Sequence, residues 1–178
     1  GHRMQRTKCG SQLTAVVGML KKDPASRRAV IQFYSDSDSA LRPRDTPCII
    51  AMHFLIREGK LLAIVHMRSQ SAMMVMPYDI ILFTMLHELI AAELGIELGT
   101  YFHISDSLHI YDDEIELAAT VMESCESAEP PAPMDVMPMD ALKALDSICT
   151  IERKIREHER PNIVAATIEF LPSYWRDI

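Results

Sequence analysis

The sequence predicts an α/β chain of the α+β type, in which a mixed, mostly antiparallel sheet packs on a buried central helix. Two apolar runs, residues 48–57 and 61–67, flank the polar segment 58–60, a pattern typical of a β-hairpin. Residues 78–94 are apolar on nearly every side, follow a proline and stop at Gly95. Such a segment forms a helix that its neighbours cover on most of its surface.

The two hairpin strands are apolar on both faces. In the first strand Ile49 and Leu55 are as apolar as Met52 and Phe54, although strand side chains alternate between two faces. Both faces of the sheet are therefore expected to be covered. Because the chain is short, one of these covers can be a second subunit, and we predict a dimer through one sheet face.

The remaining elements follow from periodicity and turn residues. Apolar side chains recur at helical spacing over residues 11–22, which predicts an amphipathic helix. β-Branched and aromatic residues predict a strand at 28–34 and short strands at 100–105 and 108–111. The other predicted elements are, in chain order, a loop at 35–47, a helix from 112, a surface loop at 124–139 and a polar helix at 140–159.

Length and composition indicate one globular domain. The 178 residues are 48% hydrophobic, which is enough to form a core. No apolar run approaches the roughly 20 residues that span a bilayer. The sequence also shows no charged-then-apolar leader with a cleavage site. We therefore expect a cytoplasmic protein that does not bind a membrane.

Cysteine spacing and net charge indicate which classes of ligand the protein is expected to bind. The four cysteines lie far apart without a C-x-x-C pair, so reduced thiols are expected rather than disulfides or a zinc site. His87-Glu88 begins a zinc-like motif, but position 91 is alanine, and no metal is expected. The net charge of −7 disfavours nucleic acid as a partner, whereas the arginine-rich segment 1–45 suits a small phosphorylated ligand.

Candidate functional residues lie where apolar runs meet loops. Cys48 stands at the start of a predicted strand, and alone it fits a buried structural cysteine better than a nucleophile. Polar residues at similar edges accompany it, namely Arg27, Arg28, Arg68, Ser69, His109 and Tyr111. Such edges are where sites are usually built. An adjacent guanidinium group also favours the reactive thiolate form of a cysteine.

Six sequence blocks resemble thymidylate synthases, in the same order and at compatible separations. They are residues 20–31 (LKKDPASRRAVI), 45–48 (DTPC), 67–69 (MRS), 76–80 (MPYDI), 93–101 (ELGIELGTY) and 107–111 (SLHIY). The resemblance is specific because no single block carries it. It implies a single thymidylate-synthase-like domain over residues 1–178 that lacks the family's N-terminal third and C-terminal tail.

The resemblance implies a catalytic role for one residue and phosphate-binding roles for four others. Cys48 matches the nucleophile that adds to C6 of a pyrimidine, so that C5 can attack the one-carbon unit of 5,10-methylenetetrahydrofolate. Arg68 and Ser69 match the residues that hold the nucleotide phosphate. Arg27 and Arg28 match the pair that reaches the nucleotide of the partner subunit, a role that suits the bidentate geometry of arginine.

Asp79 departs from the thymidylate synthases, which carry asparagine at this position. A carboxylate only accepts hydrogen bonds, and cytosine presents an amino donor where uracil has an oxygen. Asp79 therefore resembles the pyrimidine hydroxymethylase branch, in which water quenches the C5-methylene intermediate. The simpler alternative is that Asp79 only stabilises the start of a helix. The resemblance also assigns His109 and Tyr111 to the sugar hydroxyls.

The leading functional prediction is a folate-dependent C5 hydroxymethyltransferase that acts on a cytidine monophosphate, CMP or dCMP. Two alternatives stay open at the level of the sequence. One is a thymidylate synthase that methylates dUMP. The other is a non-catalytic nucleotide-binding homologue, which is favoured by Ser71 and Val75, because the family has aspartate and glycine there beside the folate.

Overall fold

The computed structural model of the chain describes residues 2–5, 10–40, 46–125, 135–139 and 141–157. The helices of the described residues are α1 (His2–Gln5), α2 (Gln12–Lys22), α3 (Asp36–Ala40), α4 (Met76–Leu94), α5 (Ile115–Cys125) and α6 (Ala141–Arg156). The strands are β1 (Val30–Gln32), β2 (Ile49–Arg57), β3 (Lys60–Met67), β4 (Gln70–Ser71), β5 (Glu97–Ser105) and β6 (Leu108–His109). A 3₁₀ turn at Asp112–Glu114 leads into α5.

Four strands form a mixed sheet in the order β1-β2-β3-β5. Strands β1 and β3 run antiparallel to β2, whereas β5 runs parallel to β3. The predicted mixed, mostly antiparallel sheet is therefore confirmed. The connection from β3 to β5 contains α4, as a parallel pair requires a crossover of this kind. Strands β4 and β6 form a separate parallel pair.

The predicted hairpin is confirmed at the turn between β2 and β3. Glu58 and Gly59 have φ angles of 53° and 76°, and Arg57 pairs directly with Lys60. Two successive positive φ angles give a turn whose twist matches the twist of the flanking strands. Glycine adopts this conformation freely, whereas Glu58 adopts it at a steric cost, which the pairing of β2 with β3 offsets.

The core lies between one face of the main sheet and the helices. Its largest fully buried side chains are Leu13, Val16 and Leu20 of α2, Ile31, Met52, Phe54, Leu61, Val65 and Met67 of the sheet, and Ile90 of α4. Each such side chain contributes about 1.5–3 kcal/mol by leaving water. The predicted amphipathic helix at residues 11–22 is confirmed, with Ser11 accepting a hydrogen bond from Thr14 at its N-terminus.

The buried side chains of α4 begin at Phe83, so the predicted all-round burial is wrong for the part of the helix before it. Phe83, Leu86 and Ile90 are buried against the sheet and the other helices, whereas Tyr78 and Ile81 are 73% and 60% exposed. The buried half is also tied to the sheet by His87, whose Nε2 donates to the Leu61 carbonyl oxygen at 2.7 Å. Burial lowers the pKa of His87 and keeps its ring neutral.

The opposite face of the main sheet is apolar and partly open in the described part of the chain. Val30, Phe102 and Ile104 are 40–46% exposed there. The Nε2 atom of His53, on the same face, is buried without a hydrogen-bond partner among the described residues. This is the face for which the sequence predicts a cover from a second subunit.

The short helix α3 corrects the loop predicted over residues 35–47. The backbone nitrogen of Ser35 donates to the Asp38 carboxylate at 2.8 Å, and the Asp38 nitrogen donates back to the Ser35 carbonyl oxygen at 3.1 Å. This reciprocal pairing satisfies the backbone at the start of a helix. Residues 41–45 and 126–134, predicted as loop, lie outside the described residues.

Candidate active site

Cys48 and Arg68 lie side by side at one end of the main sheet. Cys48 is exposed in the bend just before β2, and Arg68 directly follows β3. The backbone nitrogen of Arg68 donates to the Cys48 carbonyl oxygen at 2.8 Å. The antiparallel pairing of β2 with β3 therefore fixes the thiol-bearing residue beside the guanidinium-bearing residue.

The Arg68 side chain holds the segment that precedes Cys48. Its Nε donates to the Pro47 carbonyl oxygen at 2.9 Å and its Nη2 to the Thr46 carbonyl oxygen at 3.0 Å. These bonds use two of the five guanidinium N–H donors. Arg68 is exposed, and its remaining side-chain donors make no hydrogen bond to another described residue, so they can bind an anion beside Cys48.

The small β4–β6 pair brings His109 and Tyr111 to the same end of the sheet. Ser71 pairs with His109, and the Ala72 nitrogen donates to the His109 carbonyl oxygen at 2.8 Å. The His109 and Tyr111 rings meet edge to face, with their centroids 5.1 Å apart. Ser69, between Arg68 and β4, is half-buried in the same region.

Asp79 lies in the first turn of α4, but its side chain does not cap that helix. The N-terminal cap is Val75, which makes no side-chain cap hydrogen bond. One carboxylate oxygen of Asp79, Oδ2, instead accepts a hydrogen bond of 2.9 Å from Nε2 of Gln70. Asp79 therefore makes no cap hydrogen bond, although its charge lies in the first turn of α4, where an acid also stabilises the start of a helix.

Two further polar side chains, which the sequence did not single out as site residues, adjoin this pair. His103 Nε2 lies 3.4 Å from Gln70 Oε1, and His103 Nδ1 lies 2.7 Å from the Tyr101 hydroxyl. Burial, with a smaller effect of the Asp79 charge, raises the pKa of Tyr101 to about 12. Burial lowers the pKa of His103, although the Asp79 charge opposes this effect.

Arg27 and Arg28 do not join the other candidates. They precede β1, and Ala29 accepts a hydrogen bond from Phe54, six residues along β2 from Cys48. At about 3.3 Å per residue, the two arginines lie roughly 20 Å from Cys48 along the sheet. Both side chains are exposed, and neither makes a hydrogen bond or ion pair with another described residue.

The described residues contain no group of three histidine, cysteine or acidic side chains placed to hold a metal ion. Cys48, Cys125 and Cys149 are exposed free thiols. Over the same ranges, no helix combines the length and the apolar character needed to cross a bilayer.

Sequence comparison places this arrangement in a family. The family profile described as "Thymidylate synthase" matches residues 2–158, which is most of the chain. The chain belongs to the thymidylate synthase family. Curated relatives include the thymidylate synthases of two strains of Listeria monocytogenes, serotype 4b (CLIP80459) and serotype 4a (HCC23), each 32% identical over 111 residues.

This member of the thymidylate synthase family covers only part of those relatives. Each match spans 59% of the chain but 33% of the relative, so the chain covers about a third of their length. The matched region of the family includes both ends of the main sheet. One end gathers Cys48, Arg68, Ser69, Asp79, His109 and Tyr111, and the other carries Arg27 and Arg28.

Proposed function

We propose that this member of the thymidylate synthase family transfers a hydroxymethyl group to C5 of a cytidine monophosphate, CMP or dCMP. The observation that carries the proposal is the Asp79 carboxylate, held by Gln70 at the same end of the sheet as Cys48. Membership of the family supports the coarser activity, one-carbon transfer to a pyrimidine nucleotide. The proposed unit is one thymidylate-synthase-like domain.

Cys48 is the proposed nucleophile. Its thiolate adds to C6 of the ring, and the electron pair of the C5–C6 double bond moves to C5. The one-carbon donor, 5,10-methylenetetrahydrofolate, supplies a methylene group at the oxidation level of formaldehyde. C5 bonds to this methylene carbon, the C5 proton leaves to solvent, and tetrahydrofolate departs as the leaving group, which gives an exocyclic methylene at C5. Water then adds to the methylene carbon, and expulsion of the Cys48 thiolate restores the C5–C6 double bond. This sequence needs no hydride, in contrast to methylation.

Arg68 and Ser69 are proposed to bind the phosphate of the nucleotide. The guanidinium of Arg68 already holds the segment before Cys48, so the donors that it does not use on described residues have a fixed direction. A fixed guanidinium suits a phosphate because two of its N–H groups can bind two oxygens together. His109 and Tyr111, whose rings support each other, are proposed to contact the sugar hydroxyls.

Asp79 is proposed to select the base. An ionised carboxylate accepts hydrogen bonds but cannot donate them, and the exocyclic amino group of cytosine is a donor. Uracil presents an oxygen at that position, which an ionised carboxylate repels. A hydroxymethylase that acts on cytidine is therefore favoured over a synthase that acts on dUMP.

The first half of α4 offers a surface that fits the folate ring. Tyr78, Ile81 and Leu82 are exposed apolar side chains that begin next to Asp79 in the sequence and recur at helical spacing. Aromatic and aliphatic surfaces of this kind suit a flat heterocycle. Ser71 uses its Oγ to accept a hydrogen bond from the Met74 nitrogen at 3.1 Å, so it shapes the turn before α4.

A homodimer is proposed to complete the site. The open apolar face of the sheet needs a cover, and Arg27 and Arg28 are roughly 20 Å from Cys48 in their own chain. In a two-fold dimer through this face, each chain's arginine pair serves the phosphate held by the other. We also propose a cytoplasmic location, where thiols such as Cys48 stay reduced.

Product analysis tests the proposed function. The protein is incubated with 5,10-methylenetetrahydrofolate and, in turn, CMP, dCMP and dUMP, with mass spectrometry of the nucleotide and absorbance of dihydrofolate as readouts. We expect a hydroxymethylated cytidine nucleotide and no dihydrofolate. A methylated uridine nucleotide with dihydrofolate would identify a synthase instead. Calorimetric binding without any product would identify a non-catalytic homologue.

A further inference from the structure

Gln70 lies at the centre of a chain of four polar side chains that joins three elements. It belongs to β4, while Asp79 belongs to α4 and His103 and Tyr101 to β5. Gln70 is only 2% exposed, and its backbone nitrogen also donates to the Ser107 carbonyl oxygen at 2.9 Å. Both the backbone and the side chain of this residue are therefore held in place.

The chemistry of the end group fixes the direction of every hydrogen bond in the chain. The Asp79 carboxylate can only accept, so the Gln70 atom 2.9 Å from it is the Nε2 donor. The other amide atom, Oε1, can only accept, so the proton facing it belongs to His103 Nε2 at 3.4 Å. A neutral His103 ring then accepts at Nδ1 from the Tyr101 hydroxyl at 2.7 Å. All donors point toward Asp79.

The protonation states of the two ring residues agree with this direction. Burial lowers the pKa of His103, which keeps the imidazole neutral with a single N–H. Burial raises the pKa of Tyr101 to about 12, which keeps the hydroxyl proton in place as a donor. Aligned hydrogen bonds polarise one another. The contact of 3.4 Å between His103 and Gln70 is the longest and weakest of the three.

The hydrogen-bonded network uses only one of the two carboxylate oxygens of Asp79. Gln70 occupies Oδ2, whereas Oδ1 makes no hydrogen bond to any other described residue. Asp79 is half-buried, so this oxygen has access to a ligand.

We propose that Gln70 is a positioning residue that orients Asp79 and fixes its carboxylate as a hydrogen-bond acceptor, so that the site selects a pyrimidine with an exocyclic amino donor. The identity of this ligand rests on the proposed function. His103 and Tyr101 act through Gln70, because they hold its amide in the one orientation that presents Nε2 to Asp79.

Replacing the amide tests the role of Gln70 in selectivity. Gln70→Met has similar length but neither donates nor accepts. We expect the ratio of Kd for UMP to Kd for CMP, and for the corresponding deoxynucleotides, to fall about tenfold, as the loss of one hydrogen bond to a charged group implies. Gln12→Met is the control, because the Gln12 side chain makes three hydrogen bonds, to Arg3 and Gln32, against two for Gln70, and it lies outside the site.

A second, smaller substitution at the other end of the hydrogen-bonded network keeps the test decisive if Gln70→Met does not fold. Tyr101→Phe removes only the hydroxyl that donates to His103 and leaves Gln70 and its packing intact. We expect a fall in the same Kd ratio that is smaller than that of Gln70→Met. Tyr34→Phe, which removes a hydroxyl bonded to Ser39, is its control. An unchanged ratio in both site variants would overturn the proposal.

Nitrogen NMR of His103 tests the network without any nucleotide. In the wild type we expect a neutral ring with the proton on Nε2, and we expect Tyr101→Phe to weaken this preference. A proton on Nδ1 would overturn the proposal whatever the protein binds. The expected tautomer combined with a wild type that binds no pyrimidine nucleotide would reject the proposed function and leave the network standing. The two failures are thus distinguishable.

Discussion

The two ends of the main sheet differ in how much of their structure the chain itself supplies. At the Cys48 end, Arg68 makes three hydrogen bonds to residues 46–48, and Gln70 ties β4 to Asp79. At the other end, Arg27 and Arg28 are exposed and make no side-chain bond to a described residue. Both ends carry guanidinium groups, but within the described ranges only the guanidinium at the Cys48 end is held by hydrogen bonds.

This difference shows that the Cys48 end is preorganised, whereas the role proposed for Arg27 and Arg28 depends on a second subunit. Arginine side chains lose considerable rotamer freedom when they are fixed. At the Cys48 end folding already fixes Arg68, whereas Arg27 and Arg28 would lose their rotamer freedom only on the proposed binding to a second subunit and its ligand. We therefore expect changes at the Cys48 end to alter chemistry directly and changes at the far end to act across subunits.

The largest expected effect is the loss of turnover in Cys48→Ser, because a hydroxyl at its ordinary pKa is a far weaker nucleophile than a thiolate. The fold should survive, since Cys48 is exposed and its backbone bond to Arg68 does not involve the side chain. Cys125→Ser, at another exposed thiol, is the control and should keep full activity. A fully active Cys48→Ser protein would remove the nucleophile assignment.

The second prediction concerns the far end. Arg28→Ala and Cys48→Ser are each expected to be inactive alone, but mixing them after subunit exchange should restore about a quarter of wild-type activity. Random pairing makes half of the molecules heterodimers, and each heterodimer holds one intact site of two. Activity is measured against a mixture of Cys48→Ser with wild type. No recovery despite proven exchange would place Arg28 outside the partner's site.

Arg68→Lys tests the preorganised end with a smaller effect. Lysine keeps the charge but cannot donate to Pro47 and Thr46 while binding a phosphate. We expect kcat/KM to fall about ten- to a hundredfold, as the loss of one charge-assisted hydrogen bond implies. Arg57→Lys, at an exposed arginine on β2, is the matched control. Equal losses in both variants would show that the Arg68 contacts do not matter.

The smallest expected effect concerns the ion pair between Arg3 and Asp38, near the Cys48 end. Arg3 donates to the Asp38 carboxylate at 2.7 Å and to the Phe33 carbonyl oxygen at 2.8 Å. The hydrogen bond from Arg3, with a smaller contribution from the Ser35 backbone, holds the pKa of Asp38 well below its usual range. A depressed folded-state pKa stabilises the fold above the ordinary aspartate value of about 3.9, and this stabilisation is lost as the pH falls below it.

Urea unfolding of wild type and Asp38→Asn at several pH values checks this expectation. The wild type should be more stable at neutral pH, and the difference should shrink as the pH falls through about 4. Asp36→Asn, in the same short helix but exposed, is the control. A difference that does not change with pH would show that the ion pair contributes nothing through its charge.

Local pattern was enough to predict most of the fold. The hairpin, helix α2 and the extent of α4 follow from turn residues and periodicity, which act over a few residues. The loop prediction at residues 35–47 missed α3, although the Ser35-x-x-Asp38 spacing is a helix-start signal. The predicted burial of α4 failed in its first half because composition does not tell which neighbours are present to cover an apolar side chain.

Only the site residues that stand in recognisable sequence motifs could be predicted. Cys48, Arg68 and Asp79 stand in motifs, but Gln70 carries no such signal and His103 lies 33 residues beyond it. Their contact depends on the pairing of β4 with β6 and on the crossover through α4, which no local pattern specifies. The distance of Arg27 and Arg28 from Cys48 likewise becomes visible only once the register of β1 on β2 is known.

Calorimetric binding of CMP, dCMP and dUMP to wild type and Asp79→Asn tests the central claim, that Asp79 reads the base, most directly. In the variant, Gln70 can still donate to the side-chain oxygen, which leaves the new amide N–H to face uracil. We predict that the wild type prefers a cytidine nucleotide and that the variant shifts the affinity ratio toward dUMP by about ten- to a hundredfold. If the wild type binds all three nucleotides equally and the ratio does not move, Asp79 does not select the base. Any loss of stability in the variant, up to about 1 kcal/mol, then comes only from removing a charge that stabilises the first turn of α4.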